Sequence, residues 1–356
     1  MIRIVRRPDP SRRRDIVTRL AAVFAALVCA SLIMAALGYN PVAVFSNIIV
    51  GSTGTAHRIR QTIVKAIPLT TLSLGVAVCF KMKFWNIGAE GQFYLGALFA
   101  TWTAYHFKTL PAGALLPLML AASLIGGGLW ALIPAVLKSK FRTSEILVTL
   151  MLNYVATKFI TYLQYGPWKD PSAGGFAKMP KFVDAAVLPK LFGVHIGWII
   201  VLVLALAVHI LLAKTKLGYE ISVIGESETT ARYAGISVAG VTAAAVMIGG
   251  GLCGAAGFMQ ASAIEKSLTD QLSAGLGFTA VITAWLARLS APAVVVVSLL
   301  FAALLQGSAY IQTALQVPSA VADILQGVIL FFVLGSEFFL NYRLVRTQSS
   351  EKEAVK

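Results

Sequence analysis

Residues 86–92 place a carboxylate, two side-chain amides and two glycines between two apolar stretches. A carboxylate at membrane depth costs about 2.5 to 3.5 kcal/mol on insertion scales, so we expect Glu90 to face protein or water rather than lipid. One interpretation is that Glu90 and Gln92 satisfy the free N–H groups at the start of the following helix. The other is that Asn86, Glu90 and Gln92 line a hydrated path and bind a polar solute. The two interpretations are compatible.

The composition indicates the environment in which these groups must lie. The chain has 356 residues, of which 58% are hydrophobic and 13% are charged, and apolar runs of about twenty residues recur along it. A soluble domain would carry about 25% charged residues. A formal charge of +15 could indicate a protein that binds nucleic acid, because clustered Lys and Arg neutralise phosphates. However, the cations cluster at the ends of apolar segments, which indicates anionic lipid headgroups instead. We therefore predict a polytopic membrane protein that does not bind nucleic acid.

Apolar windows and their breakers predict an all-α fold with about ten membrane segments. The predicted segments are 17–38, 62–80, 93–107, 111–137, 145–165, 195–213, 238–259, 276–289, 291–312 and 321–341. Most of the Lys and Arg residues fall in alternate loops, so we place both termini in the cytoplasm. This gives one transmembrane domain over 1–356. It has a basic cytoplasmic N-terminus (1–16), an external loop (166–194), a cytoplasmic loop (214–237) and a cytoplasmic tail (342–356).

Two predicted segments, 93–107 and 276–289, are too short to cross a hydrocarbon core roughly 30 Å thick. Each follows a polar stretch that contains glycine, at 86–92 and 267–277. They occupy comparable places in two blocks of segments that run in opposite directions through the membrane. This arrangement is typical of an inverted repeat with discontinuous helices, whose breaks mark a central substrate path.

The inner loop at 214–237 contains the signals of a short helix. Ser227 is a suitable N-cap, Glu228 and Arg232 lie near the first and last turns, and Gly235 follows the predicted end at Ala234. A short capped helix outside the membrane is a natural docking element for a partner. A solvated connector is the alternative, and both remain open at this point.

Four stretches, in order, resemble the permease subunits of bacterial ABC importers of the nucleoside and simple-sugar group. They are NIGAEGQ at 86–92, EILVTLMLNYVA at 145–156, the inner loop at 218–236 and the pattern from GLGF to proline at 275–292. The resemblance spans roughly residues 60 to 340. This chain departs from the family pattern at Trp85, Ser227, Thr283, Trp285 and Ala287. These departures bear on substrate identity more than on family membership.

The resemblance implies one of two membrane subunits in the bacterial cytoplasmic membrane. Its partners would be a similar second permease, a cytosolic ATPase and an extracytoplasmic solute-binding protein. The chain contains no Gly-Lys dipeptide and hence no P-loop, so we expect the ATPase to hydrolyse ATP and this chain to hold no cofactor, metal or catalytic residue. The residues predicted to couple to the ATPase are Gly225, Glu226, Ser227, Ala231, Arg232, Tyr233 and Gly235. A second inner contact is expected at 139–144.

The NIGAEGQ stretch resembles the nucleoside branch most, with a ribose-like sugar or riboflavin as the alternative. Aromatic side chains would stack on a base, and amides would bind a ribose. The predicted path residues are Asn86, Glu90, Gln92, Asn153, Gln271, Phe278, Trp285 and Gln306. The rival class is an ion-coupled carrier acting alone, which needs intramembrane acids. Here Glu90 and Asp323 are the candidates, and we assign no role to Asp323 or Glu337.

Overall fold

The computed structural model describes residues 2–6, 12–318 and 342–346, together with 320, 321, 323–325, 327, 328, 331, 332, 335 and 336. Its helices are α1 (Arg12–Ala36), α2 (Pro41–Thr53), α3 (Ala56–Lys81), α4 (Ala89–His106), α5 (Ala112–Phe141), α6 (Glu145–Tyr165), α7 (Gly197–Lys214), α8 (Lys216–Glu226), α9 (Glu228–Tyr233), α10 (Val238–Gln260), α11 (Leu276–Leu286) and α12 (Ala291–Ala314). A π-helical turn, Ala261–Glu265, extends α10. The protein is mostly helical, as the sequence predicts.

Six helices among the described residues are long and apolar enough to cross a membrane: α3, α5, α6, α7, α10 with its π turn, and α12. The end of α1 and α2 together give a seventh candidate, bent by 117°. The predicted number of about ten spans therefore stays a prediction. The last predicted segment, 321–341, is only partly described, and Glu337 and residues 347–356 lie outside the described residues.

The first predicted segment, 17–38, is not followed by a loop as expected. Gly38 adopts a left-handed φ of 84° and ends α1, and α2 begins three residues later. The Asn40 side chain accepts a hydrogen bond of 3.0 Å from the Val42 N–H, and Pro41 occupies the first helical position. The Asn-Pro pair was the sequence signal for this second helix.

The short helices also differ from the predicted bounds. Helix α4 begins at Ala89 rather than 93 and is 18 residues long, whereas α11 has 11 residues. The inner loop contains α8 in addition to the predicted short helix.

The chain divides into two compact units, one of 1–52 with 304–356 and one of 53–303. In the first unit, the terminal strands β1 (Ile2–Arg6) and β4 (Tyr342–Arg346) pair antiparallel. Neither terminal strand was predicted. Gly307 of α12 lies against the Ile48 backbone of α2. In the second unit, β2 (Lys190–Leu191) and β3 (Val194–His195) form a hairpin.

Helix α10 packs against three other helices at the centre of the second unit. A Cβ added at Gly254 would overlap the carbonyl oxygen of Ser123 on α5, and one added at Gly257 would overlap that of Phe93 on α4. Small residues let helix backbones approach this closely in a membrane. The resulting packing fixes α4, the helix that carries the polar stretch.

Candidate functional site

The polar stretch forms a closed amide pair just before α4. Asn86 Nδ2 donates to Gln92 Oε1 at 3.0 Å, and Gln92 Nε2 donates back to Asn86 Oδ1 at 2.9 Å. Asn86 Oδ1 also accepts from the Gly88 N–H at 3.1 Å. Both side chains are buried. Because each amide satisfies the other, their burial avoids the cost of an unpaired polar group.

The start of α4 is capped from another helix. Asn153 on α6 accepts a hydrogen bond of 2.8 Å from the Gly91 N–H and donates one of 2.8 Å to the Ile87 carbonyl oxygen. The predicted satisfaction of these N–H groups by Glu90 and Gln92 is therefore not what the structure shows. Asn153 lies in this site and caps α4 from 62 positions away along the chain, and its predicted binding of a solute stays a prediction.

Glu90 caps the other broken helix instead of its own. Its Oε2 accepts a hydrogen bond of 2.8 Å from the N–H of Gly277, the second residue of α11. Glu90 is only 7% exposed. A Cβ at Gly277 would lie 2.5 Å from the Glu90 nitrogen, so the N-termini of α4 and α11 touch. A carboxylate between two helix N-termini interacts favourably with both helix dipoles.

The segment that leads into α11 is held by hydrogen bonds to α4 and α6. Tyr94 donates to the Asp270 carbonyl oxygen at 2.7 Å and accepts from the Ser273 N–H at 3.3 Å. The Gln164 side chain accepts from the Asp270 N–H at 2.9 Å. We did not predict Tyr94 or Gln164, although both are polar groups within apolar windows, which was the available signal.

The other end of α11 carries an aromatic cluster. Trp285 stacks on Trp85 with ring centroids 5.4 Å apart and an interplanar angle of 17°. Phe80, at the end of α3, meets both rings edge-on, at 5.1 Å from Trp85 and 6.0 Å from Trp285. Trp285 thus stacks on an aromatic partner within the protein.

The structure joins four of the eight predicted path residues into one buried region: Asn86, Glu90, Gln92 and Asn153. Trp285 lies at the far end of α11, Phe278 is half-exposed on the same helix, and Gln271 is exposed in the segment before it. Gln306 lies on α12 in the other unit. A role for any of them in solute passage remains a prediction.

The predicted short helix at 227–234 is confirmed as α9 with its caps. Ser227 Oγ accepts from the Thr230 N–H at 3.2 Å, and Gly235 has the left-handed φ of 75° expected just past a helix end. Arg232 forms an ion pair with Glu228 at 2.7 Å.

The two faces of α9 differ in exposure. Ala231 is buried against the protein, whereas the neighbouring Tyr233 is 89% exposed. Gly225, at the end of α8, lies against the backbone of Lys81 and Met82, where a Cβ would overlap the Lys81 carbonyl oxygen. One face of the segment thus contacts the bundle, and the other is free to contact a partner.

A cleft of about 980 Å³ lies beside α8 and α9. Its lining comes from 82–84, from the α5–α6 connection and from Gly225, Glu226 and Arg232, which are predicted to couple to an ATPase. Lys138 and Glu145 form an ion pair of 2.7 Å in this lining. The predicted second inner contact at 139–144 therefore shares a surface with α9.

The loop at 166–194 is irregular, as predicted, apart from a 3-10 turn at Asp184–Ala186 and the β2–β3 hairpin. At the hairpin tip, Phe192 has a φ of 57° and is 82% exposed. His195 at its base is buried, and among the described residues neither ring nitrogen has a hydrogen-bond partner. Burial, together with the Lys190 charge, lowers the pKa of His195 to about 4. Sequence reasoning missed both residues.

Within the part of the chain that the structure describes, no group of three or more His, Cys, Asp and Glu side chains could hold a metal ion.

Comparisons with known proteins give consistent results. Residues 58–334 match the family described as "Branched-chain amino acid transport system / permease component". The glucose ABC transporter permease protein TsgB13 of Haloferax volcanii is 34% identical, covering 92% of this chain and 89% of that protein. The guanosine ABC transporter permease protein NupP of Bacillus subtilis is 30% identical, covering 91% and 94%. A second guanosine permease protein of that organism, NupQ, is 33% identical over 62% and 71%.

Proposed function

Since this chain belongs to the permease-component family of branched-chain amino acid transport systems, we propose that it provides the path for nucleosides in an ATP-driven importer. It is a multi-pass membrane protein and a transport subunit rather than an enzyme. Systems of this family work with an ATPase and a solute-binding protein. ATP would be the partner's nucleotide, and this chain would bind no cofactor of its own.

The observation that carries the nucleoside assignment is the match to two permease proteins named for guanosine, one of them over nine tenths of both chains. The same pair supports a second, homologous permease as partner, because one organism supplies both relatives. The relative named for glucose favours a simple sugar as the second candidate. A nucleoside and a sugar share a hydroxyl-rich ring, and the nucleoside adds a planar base.

We further propose ten spans, with both termini in the cytoplasm. The pairing of β1 with β4 supports the placement of both termini on the same side of the membrane, because it lays the first and last described segments side by side. The inverted repeat is supported by α4 and α11, which both begin after a polar, glycine-bearing break.

The path itself would pass the junction of α4 and α11. In the conformation described here, Glu90 and Gly277 satisfy each other. If α11 moved away from α4, a carboxylate and a helix N-terminus would both become free at membrane depth. Polar groups freed in this way would bind the hydroxyl groups of a passing solute, as broken helices do in other transporters.

The energy for that movement would come from the ATPase, which would dock on α9 and the adjacent cleft. ATP binding would favour one arrangement of α8 and α9 and so shift the population between outward-facing and inward-facing states. The exposed Tyr233 and Arg232 present the side chains for docking, whereas the buried Ala231 fixes the helix to the bundle.

Uptake by cells that carry the complete transporter tests the substrate. Labelled guanosine would be offered with excess unlabelled adenosine, glucose, ribose or riboflavin, with cells that lack this chain as the control. We expect nucleosides to compete and guanosine uptake to require the chain. Competition by glucose or ribose alone, without competition by adenosine, would favour the sugar candidate and contradict the nucleoside assignment.

A further inference from the structure

The end of α8 packs against the end of α3. Gly225 packs so closely on the Lys81 carbonyl that a Cβ would overlap it, and Met82 Cα would lie 3.2 Å from that Cβ. The contact is made by backbone on backbone, with no flexible side chain between the two segments. A displacement of α8 must therefore displace residues 81 and 82 or break the contact.

The connection from α3 to α4 is too well anchored to absorb such a displacement locally. Met82 and Phe84 are buried. The Phe84 N–H donates to the Cys79 carbonyl oxygen at 3.2 Å, and Asn86 Nδ2 lies 3.6 Å from Cys79 Sγ. The Lys138 ammonium also lies 5.1 Å from the centre of the Phe84 ring. Residues 82–86 are thus held as one piece.

Trp85 projects from this anchored piece onto α11. Its stack on Trp285 and the edge-on contacts of Phe80 join the connection to the last turn of that helix. Further along α11, Thr283 is hydrogen-bonded to Ser73 of α3, and the start of the helix is bonded to Glu90. Among the described residues, no hydrogen bond fixes the Trp85–Trp285 stack, so the two rings can slide over each other and stay in contact.

We propose that Trp85 is a positioning residue that transmits movement from α8 to α11. The chain of contacts runs from Gly225 through the 81–82 backbone to Trp85, and from its ring to Trp285. A movement of α8 would then tilt α11 and strain the hydrogen bond between Glu90 and Gly277. This inference rests on the proposed function, since it assumes that an ATPase moves α8.

The number of solute molecules imported for each ATP hydrolysed tests the proposal in the complete transporter in proteoliposomes. We expect Trp85→Ala to hydrolyse ATP at a rate near that of the wild type but to import about tenfold less solute for each ATP. Trp85→Phe should import nearly as much solute for each ATP as the wild type, because a smaller ring still stacks on Trp285. Trp102→Ala is the matched control, since Trp102 stacks on His106 at 4.2 Å and contacts neither α8 nor α11 in that stack.

An unchanged ratio in Trp85→Ala would overturn the proposal. So would equal losses of hydrolysis and uptake in Trp85→Ala and Trp102→Ala, which would indicate a general packing role. A double-mutant cycle adds a second criterion. Gly225→Ala and Trp85→Ala act on one chain of contacts, so the double variant should be little worse than the more impaired single variant. If the losses of the two single variants multiply in the double variant, the two residues act independently, and a shared chain of contacts is refuted.

A third measurement does not depend on which solute is carried. Cysteines in place of Lys83 and Leu286, which flank the two rings and leave the Trp85–Trp285 stack intact, can be bridged by a bifunctional maleimide. Each single variant serves as the background for the native cysteines. We expect the yield of the bridge to change at least about twofold between the nucleotide-free and ATP-bound complex, a population shift. A constant yield would refute movement of α11 against Trp85, even if the proposed transport function is correct.

Discussion

Glu90, in the first turn of α4, accepts a 2.8 Å hydrogen bond from the backbone N–H of Gly277, in the first turn of α11. A carboxylate on the first turn of one discontinuous helix thus caps the N-terminus of the other. The bond connects residues that are 187 positions apart, so it exists only once the bundle has assembled. It is therefore a contact that a conformational change can break without unfolding either helix.

The first prediction concerns this carboxylate. Glu90→Ala leaves the Gly277 N–H unsatisfied and should lower the free energy of unfolding by about 1–3 kcal/mol. Glu90→Gln should cost less, because an amide oxygen still accepts the bond. If solute passes this site, both variants should lower the rate of uptake by more than they lower the amount of permease in the membrane. Uptake and immunoblot measured on the same membranes decide the matter, and equal falls of both quantities would leave capping as the whole role of Glu90.

The second prediction concerns the close approach of the two helices. A methyl group at Gly277 would lie 2.5 Å from the Glu90 nitrogen, so Gly277→Ala must push α11 away from α4. Overpacking of this kind typically costs about 1–3 kcal/mol. Gly113→Ala is the control, because nothing lies within 4 Å of its added Cβ. Thermal unfolding of the purified permease should separate the two variants, and an equal effect would contradict the contact.

The third prediction concerns docking on α9. Tyr233 and Arg232 project from the protein surface, so Arg232→Glu with Tyr233→Ala should leave folding and insertion unchanged. The double variant should lose the ATPase on co-purification and should no longer drive uptake with ATP. Ala231→Glu, at a buried position, serves as the contrasting variant and should lower the amount of folded permease. Normal uptake in the double variant would remove the docking assignment.

The fourth prediction concerns His195 and pH. Its pKa is about 4 in the fold against 6.5 when unperturbed, so the unfolded chain binds the extra proton between these values. The contribution of His195 to the free energy of unfolding should be fully present above pH 6.5. It should fall as the pH drops toward 4, by about 3 kcal/mol in all. His195→Phe should remove this part of the pH dependence. The measurement is the free energy of unfolding against pH. If it falls with the same slope in the wild type and in His195→Phe between pH 6.5 and 4, His195 is not the group responsible.

The fifth prediction concerns the hairpin tip. Phe192 has a left-handed φ of 57° and an exposed side chain, so its conformation is strained without any compensating contact among the described residues. Phe192→Asn should raise the free energy of unfolding by up to about 1 kcal/mol, because Asn tolerates this region. The flanking variant Leu191→Asn should not. A lower melting temperature in Phe192→Asn would indicate that the ring packs on something in the membrane.

The sequence predicted local features well because their signals are local. The cap at Ser227 and the left-handed Gly235 depend on neighbours within a few residues, and both were located correctly. The polar groups of 86–92 were also identified, but their partners were not. Asn153 and Gly277 reach them through the packing of α6 and α11 against α4, over 62 and 187 positions of sequence, and no short-range signal encodes these contacts.

Aromatic residues show the same limit. The ring of Trp285, a predicted path residue, stacks on Trp85, and sequence periodicity does not reveal a contact between residues 200 positions apart. The bend between α1 and α2 had a local signal in Asn40 and Pro41, which the length of the preceding apolar run obscured. The pairing of β1 with β4 joins the two ends of the chain and had no such signal.

We propose that this chain forms a solute path that another polypeptide powers with ATP. The most direct measurement is accumulation of labelled guanosine in proteoliposomes that hold the purified transporter, with ATP on the side of α9. We predict accumulation that requires ATP and stops when the P-loop lysine of the ATPase is replaced. Accumulation that continues with the inactive ATPase, and collapses when a protonophore is added, would contradict the account.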